Sequence, residues 1–350
     1  MSAGDKVEFR GNNNAYGFGA ARYNHFSGTT CEFDVYGNIM SLINSTNYSS
    51  LTSFTGNYNL AFLFWNTKTL VDASRLRLPS LTLTTASYRS MFEFSSIKYS
   101  PLILPATNVT SNAYLYMFKN CPNLETTPVL CGTNVAVRGY FGMFRASTKL
   151  TVAPDIIADS VGMEGYKYMF YGCSNLQSVK CLTTELNETA YTGVSASTYQ
   201  WLQGVASSGT LYVHDDDVPW TSGVNGVPTG WTKKVDPSLY PLTFDILSDG
   251  TIKWELVNYA SSYQKQIRYR KNGGEWTSIT SNTGSSAPSI SVVAGDVVQF
   301  DGTTNRYAGG TGATSSYNRF STTADIKIRG NIMSMVNNTG YTTVSNLINM

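Results

Sequence analysis

Apolar side chains recur at a fixed interval of 26 residues through the middle of this chain. The motif Tyr-x-x-Met-Phe occurs four times, at residues 88–92, 114–118, 140–144 and 166–170. A unit of this size cannot enclose a hydrophobic core alone, so neighbouring units are expected to stack and bury a continuous one. Stacked repeats commonly present an extended surface to a partner. The pattern therefore predicts a repeat architecture suited to binding.

Each unit is predicted to contain one short helix and one short strand. Tyr and Met-Phe at positions i, i+3 and i+4 would share one face of a helix. The Thr- and Val-rich block after Leu124, Leu150 and Leu176 is too short for a helix and favours a strand. One strand and one helix in roughly 20 to 29 residues is the leucine-rich-repeat plan. The fold class predicted for residues 38–235 is thus a mixed α/β repeat, a solenoid of the leucine-rich-repeat type with terminal caps.

The repeat unit also resembles a known family. Units of the form Tyr-x-x-Met-Phe-x-x-Cys-x-x-Leu-x-x-x-Pro, as in residues 114–128, resemble the BspA-like leucine-rich repeats of surface proteins from gut and oral bacteria and of phage-borne genes from the same habitats. The resemblance covers about residues 84–182, with a degenerate unit at Leu60–Phe64 and a closing segment that carries Trp201, Trp220 and Trp231. It implies adhesion or partner binding at a bacterial cell or virion surface.

A second, longer repetition links the two ends of the chain. Residues 4–11 reappear as 295–302, and residues 37–42 as 330–335, at offsets of 291 and 293 residues. The 350 residues therefore hold slightly more than one copy of a larger unit made of two modules.

Residues 236–330 are predicted to form the other module, an immunoglobulin- or fibronectin-like β-sandwich joined to the solenoid. Asp249-Gly250 and Asn272-Gly273 favour tight hairpins, because such turns need positive φ. Seven short strands are predicted, at residues 242–247, 251–256, 266–270, 276–280, 289–293, 297–300 and 324–329.

Both ends of the chain are expected to carry incomplete modules. Residues 1–37 match only the terminal strands of the sandwich, and residues 331–350 match the start of a second solenoid copy. Three explanations are open: a segment of a longer array, N-terminal strands that cap the first repeat, or completion by another subunit. Exposed apolar side chains at such ends, including Val7, Phe9, Ile332 and Met333, would favour association end to end.

Composition argues against several classes of protein. Only 14% of the residues are charged and the net charge is +2, so no basic field attracts nucleic acid. No apolar run approaches the roughly 18 residues of a membrane span, and the N-terminus lacks the pattern of a signal peptide. Cys121 and Cys173 share one repeat position, with Ser147 at the same position between them, and are expected to be small buried residues.

No catalytic residue, cofactor or metal site is predicted. The two histidines, His25 and His214, lack the spaced Cys or His partners of a zinc site. Asp215–Asp217 could supply oxygen ligands to Ca²⁺ but do not have the spacing of a calcium loop. No nucleophile elbow occurs. We therefore expect that the protein is not an enzyme, although paired carboxylates of a carbohydrate-active module follow no spacing rule.

The predicted binding face lies on the strands of the repeat. Positions beside the buried Leu and Pro residues should point outward, and they vary between units and are mostly uncharged: Glu125, Thr126, Thr151, Gln177 and Ser178. The expected partner is a surface protein or glycan of a host or of bacteria, and the expected location is extracellular. The alternative is a structural module of a phage fibre or another filament, in which the partner is a further copy.

Overall fold

A computed structural model of the protein describes residues 4–13, 16, 23–27, 30–186, 193–214, 220–258, 260–303, 308–309 and 316–336. The chain divides into two compact units, residues 1–235 and 236–350. Strands and turns make up nearly all of the regular structure in the described ranges. Helical structure there is limited to short 3-10 turns, at Ile39–Leu42, Gly193–Ser195, Pro237–Leu239, Ser261–Tyr263, Gly284–Ser286 and Ile332–Met335.

The first unit is a stack of coils joined by short parallel strands. Each strand pairs with the strand at the same place in the next coil, so the register advances by one repeat: Asn108 pairs with Asn134, and Asn134 with Ser160. Its strands are β1 Phe33–Asp34, β2 Gly37–Asn38, β3 Leu70–Asp72, β4 Leu76–Arg77, β5 Ile103–Leu104, β6 Asn108–Val109, β7 Val129–Leu130, β8 Asn134–Val135, β9 Ser160–Val161, β10 Ser178–Cys181, β11 Glu185–Leu186, β12 Gly209–Val213 and β13 Trp231–Val235.

These strands form several small sheets along the stack. One sheet runs in the order β11-β9-β8-β6 and a second in the order β10-β12-β13. The remaining strands pair two by two, as β1-β3, β2-β4 and β5-β7. Every pair in this unit is parallel, as expected when successive coils run in the same direction.

The Tyr-x-x-Met-Phe segments are chains of β-turns and contain no helix. The prediction of a mixed α/β solenoid of the leucine-rich-repeat type, with a helix in each unit, is therefore wrong. In and around the second motif, Asn112, Tyr116 and Asn120 have φ of 58°, 58° and 55°. A residue in this left-handed region ends an α-helix, whereas a type II turn requires positive φ at its third position. The left-handed residues recur every fourth position.

Backbone hydrogen bonds explain why this conformation is stable. The N–H of Met117 donates to the carbonyl of Tyr114 within the same coil, at 3.1 Å. The N–H groups of Tyr116 and Phe118 donate to the carbonyls of Phe141 and Met143 in the next coil, at 2.9 and 2.8 Å. The backbone N–H groups therefore alternate: one closes a turn within its own coil, and the next donates to the neighbouring coil. Buried backbone groups are paired in this way without a helix or a regular strand.

Identical side chains stack on one another in the core of the coil stack. The rings of Tyr88, Tyr114, Tyr140 and Tyr166 form one column with centroid separations of 5.7, 5.7 and 6.3 Å. A parallel column holds the motif Phe residues from Phe64 to Phe170, with separations of 5.2 to 5.6 Å. The four motif tyrosines and the Phe column are almost completely buried. Stacked rings at this distance stabilise beyond the area that they bury.

A third column carries small polar side chains. Cys121, Ser147 and Cys173 each donate to the carbonyl of the motif Phe in the preceding coil, at 3.0, 2.8 and 3.0 Å. Both thiols are free and buried. Either Cys or Ser can occupy this position because both are small and both can reach the carbonyl.

Aromatic residues close both ends of the columns. Phe26 stacks on Phe64 at 5.7 Å at the N-terminal end. At the other end Trp201, fully buried, stacks on Tyr166 at 6.4 Å and on Trp220 at 5.2 Å. The indole N–H of Trp201 donates to the carbonyl of Gly226 at 3.1 Å. Phe54 packs against Tyr88 at 5.4 Å and Trp201 against Phe170 at 6.4 Å, so the final ring of each column is shielded from water.

The second unit consists of two antiparallel sheets that face each other. One has the strand order β17-β16-β19-β14-β22 and the other β18-β15-β21-β20. Phe300 and Phe320 meet between the sheets at 4.6 Å. The strands are β14 Leu242–Ile246, β15 Gly250–Val257, β16 Gln266–Lys271, β17 Thr277–Thr280, β18 Ser289–Val292, β19 Val297–Gly302, β20 Ala308–Gly309, β21 Ser316–Thr322 and β22 Ile326–Arg329.

One of the two predicted hairpins is present. Asn272 and Gly273 have φ of 53° and 73° and connect β16 to β17, which pair with each other. The hairpin predicted at Asp249-Gly250 is wrong, because β14 pairs with β19 and β22 whereas β15 pairs with β18 and β21. The turn therefore carries the chain from one sheet to the other.

Candidate binding face

The strand face of the coil stack brings the predicted site residues into two columns. Glu125, Thr151 and Gln177 occupy one repeat position in three successive coils, and the N–H of Gln177 donates to the carbonyl of Thr151 at 2.9 Å. Thr126 and Ser178 belong to the neighbouring position. Between them in the repeat lies Val152, which pairs with Ser178. Parallel strands stand about 4.8 Å apart, so neighbouring members of a column are within reach of one ligand.

Most of these side chains point into solvent. Glu125, Thr126, Thr151 and Gln177 are exposed and Ser178 is partly exposed. The Thr126 hydroxyl accepts from the N–H of Ser100 at 2.9 Å, in the preceding coil. Thr126 therefore helps to join two coils as well as to form the face.

Ion pairs lie on two sides of this face. The Glu125 carboxylate is 3.6 Å from Lys98 and 3.5 Å from Lys149, which come from the coils before and after it. Asp155 and Lys180 form a second pair at 2.5 Å. A hydrogen bond with Tyr99 and then the charge of Glu125 raise the pKa of Lys98. These groups neutralise one another, so the face has little net charge.

Exposed apolar side chains are the part of the face that sequence reasoning missed. Leu102, Val129 and Val152 are 70%, 60% and 60% exposed, and Ile103, which pairs with Val129, is 45% exposed. Ile103 and Val129 are adjacent across the β5–β7 pair, and large contiguous apolar patches on monomeric proteins often mark binding sites. The signal in the sequence was available, since β-strand alternation places Ile103 and Leu104 on opposite faces.

The turn face of the stack is less suited to binding, because its charged side chains lie over its own aromatic rings. Lys167 pairs with Glu164 at 2.6 Å and lies 5.3 Å from the ring centre of Tyr168. Burial raises the pKa of Glu164, but hydrogen bonds from Lys167 and Arg138 outweigh it and lower the pKa. Arg145 lies over the rings of Tyr168 and Tyr171 at 5.2 and 4.8 Å. Such cation–π contacts stabilise the turns themselves.

Few groups suited to chemistry lie together in this part of the molecule. Among the described residues no group of three or more His, Cys, Asp or Glu side chains could hold a metal ion. Asp215–Asp217, the acidic cluster, lie outside the described residues. Burial raises the pKa of the Cys121 and Cys173 thiols to about 12, which leaves them protonated and unreactive at neutral pH.

Comparison with known proteins identifies no relative. No protein-family model matches the chain, and neither the curated proteins nor the solved structures contain a significant match. Within the described ranges no helix has the length and apolarity that crossing a membrane requires.

Proposed function

We propose that this protein is a non-catalytic binding or adhesion protein that presents the strand face of its coil stack to a partner outside the cell. The face consists of the predicted residues Glu125, Thr126, Thr151, Gln177 and Ser178 together with the exposed apolar residues Leu102, Ile103, Val129 and Val152. Its proposed partner is a surface protein or glycan of a host or of bacteria, and its proposed location is the surface of a bacterial cell or a virion.

The observation that supports this proposal best is the set of exposed apolar side chains on a face of low net charge, in which Ile103 pairs with Val129, and Val152, in the next coil, pairs with Ser178. Burial of Val129 and Val152 by a partner would remove apolar surface from water, which favours association by roughly 25 cal/mol per Å². The surrounding Thr, Ser and Gln side chains offer hydrogen bonds without the desolvation cost of a full charge. A face of this kind is suited to a neutral partner, such as a glycan or an uncharged protein surface.

A binding screen with matched variants tests the proposal. The probes are a glycan array and a set of immobilised extracellular matrix proteins. We expect the double variant Val129→Asp with Val152→Asp to lose at least tenfold in affinity for any probe bound by the original protein. The control is Leu247→Asp, which introduces one negative charge at a position that is 61% exposed in the second unit, and each of the single variants Val129→Asp and Val152→Asp is compared with it.

Two results would count against this function. Binding that survives the double variant would place the contact elsewhere, and equal loss in the Leu247→Asp control would mean that charge alone is responsible. Hydrolysis of a glycan probe would instead favour the carbohydrate-active module.

The alternative function, a structural module of a fibre, rests on a separate observation. The chain repeats its own junction sequence at residues 37–42 and 330–335, as tandem modules of a filament would. Assembly without affinity for any probe would favour this alternative.

A further inference from the structure

The two copies of the junction sequence adopt the same local structure. Residues 37–42 and 330–335 each begin with a glycine of positive φ, 93° and 90°, and continue into a 3-10 turn. The side chain of Asn38 accepts from the N–H of Met40 at 3.0 Å. In the second copy Asn331 accepts from the N–H of Met333 at 2.9 Å.

Each 3-10 turn also makes the same contact with the other repeated segment. The Ser41 hydroxyl donates to the carbonyl of Phe9 at 3.3 Å, and the Ser334 hydroxyl donates to the carbonyl of Phe300 at 3.0 Å. Residues 4–11 are thus placed against the first turn as β19 is placed against the second. The repeated sequence encodes a junction of two segments, and both copies of it have folded.

The environments of the two junctions differ on the side of the sandwich. In the second copy Val298 and Phe300 are fully buried, because β14 and β16 flank β19 and the opposite sheet covers it. Their counterparts in the first copy, Val7 and Phe9, are both 54% exposed. The first junction therefore has an open sandwich side.

On the side that corresponds to the coil stack, the first copy is buried and the second copy is exposed. Ile39 is 5% exposed in the first copy and belongs to the core of the coil stack, whereas Ile332 is 59% exposed. Val35 packs against the same core, whereas its counterpart Ile328 is 61% exposed. The first junction is covered here because β1 pairs with β3 and β2 with β4.

We infer that the exposed face of Ile328 and Ile332 is a docking surface for the open end of a coil stack of the same repeat type. The structure shows what covers this face in the first copy: the coil that contains Leu70, Ala73 and Leu76, all of which are buried in the core. The occupant is therefore a coil stack with the sequence of residues 58–235, belonging to a further copy of the repeating unit.

The second junction already has the backbone conformation that the first junction has against its coils. Its turn is already capped by Asn331, and Ser334 is held between the carbonyl of Phe300 and the N–H of Leu242, at 3.0 and 2.9 Å. A docking surface that keeps its conformation on binding loses little entropy. The inference concerns how units join, and it holds whatever ligand the strand face binds.

Addition of a second coil stack provides the test. Residues 58–235 are appended after Met350, which corresponds to Asn57, so that the repeated sequence continues in register. In this extended chain and in the original chain, Ile332→Cys is introduced and its reaction with a thiol reagent is followed by peptide mass spectrometry. The matched control is Leu247→Cys, at a position exposed to a similar extent.

We expect the thiol introduced by Ile332→Cys to react at least tenfold more slowly in the extended chain than in the original, with Leu247→Cys unchanged. The peptides that contain Cys121 and Cys173 are shared by the original and the added stack, so they remain entirely unlabelled only if the added stack has also folded, because these thiols are buried in the original stack. An added stack that folds while Ile332→Cys still reacts at its original rate would overturn the inference. Failure of the added stack to fold would overturn it as well, since the junction would then not serve as its cap.

Discussion

Substitutions between Ala and Gly at the positions of positive φ should change the free energy of unfolding in opposite directions in a chain of β-turns and in a helix. Ala146 and Gly172 occupy the same repeat position in adjacent coils and have φ of 58° and 74°. Gly142, four residues before Ala146, has φ of 55°. The variants are Ala146→Gly, Gly172→Ala and Gly142→Ala, one at a time.

The magnitudes follow from strain and from contacts. An L-residue in the left-handed region is destabilised by about 1–2 kcal/mol, and the greater freedom of Gly in the unfolded chain offsets about 0.4–1 kcal/mol of this. Ala146→Gly should therefore stabilise the fold by about 0.5 kcal/mol. Gly172→Ala should destabilise it by about 0.5–1 kcal/mol, because the added Cβ would meet only ordinary contacts with Ala146, at 3.7–3.9 Å.

Gly142→Ala should have the largest effect. An added Cβ would lie 2.5 Å from Cε1 of Tyr116, so the Tyr ring must move in addition to the backbone strain. Displacement of a packed side chain typically costs about 1–3 kcal/mol. We expect a total destabilisation of roughly 2 kcal/mol or more.

Urea unfolding followed by Trp fluorescence and circular dichroism measures all three free energies. Gly273→Ala provides a calibration in the second unit, because Gly273 has φ of 73° and an added Cβ there would meet no atom within 4 Å. In a helix Ala146→Gly would destabilise by about 1 kcal/mol and both Gly→Ala changes would stabilise. Such changes in the free energy of unfolding would show that the motif segments are helices and not chains of β-turns.

Three further predictions concern individual side chains. Phe144→Ala should cost about 3–5 kcal/mol in urea unfolding, because the ring is fully buried between neighbours at 5.5 and 5.6 Å; an unchanged midpoint would contradict this. Cys121→Ser should change stability by less than about 1 kcal/mol, because Ser147 makes the same contact one coil further on. Hydrogen bonds from Lys271 and nearby groups lower the pKa of Asp296 from 3.8 to about 2, so its stabilisation is complete above pH 4 and is lost as pH falls towards 2; Asp296→Asn should remove this part of the acid dependence.

The spacing and the interior of the coil stack could be predicted from sequence. A strict 26-residue interval places equivalent residues in equivalent surroundings, so the buried state of the motif Tyr, Met and Phe follows from the repeat alone. The positions of most strands in the second unit could also be predicted to within one or two residues. Sheet membership could not, because local turn signals do not show whether β14 and β15 pair.

The conformation of the motif could not be predicted from apolar spacing alone. Positions i, i+3 and i+4 share a face in a helix, but they also share a face in a chain of turns that repeats every four residues. The signal that separates the two is the presence of Asn or Gly at some of these left-handed positions, as at Asn112 and Asn120, but Tyr116, which lies between them, does not carry it. Asn and Gly tolerate positive φ, and Gly is poorly suited to a helix interior.

The sequence predicts which repeat positions lie on the candidate face, but it does not predict that exposed apolar residues lie among them. Repeat alignment identified the columns of Glu125 and Thr126, whereas the rule that apolar residues are buried concealed Val129 and Val152. That rule holds in one direction only, because folded proteins leave much apolar surface exposed. An exposed apolar residue is recognised only when its neighbours on the adjacent coil are known.

The coil stack leaves its strand face free to vary. Adjacent coils are joined by ring columns, by the thiol and hydroxyl column and by backbone hydrogen bonds. Apart from the Thr126 hydroxyl, which accepts from the N–H of Ser100, these contacts need no particular outward side chain on the strands. The equivalent positions Ser178, Thr210 and Thr232 are paired in register, and the same position holds Val152 one coil earlier. Substitution there should change stability by less than about 0.5 kcal/mol. The fold therefore does not determine which side chains occupy these positions.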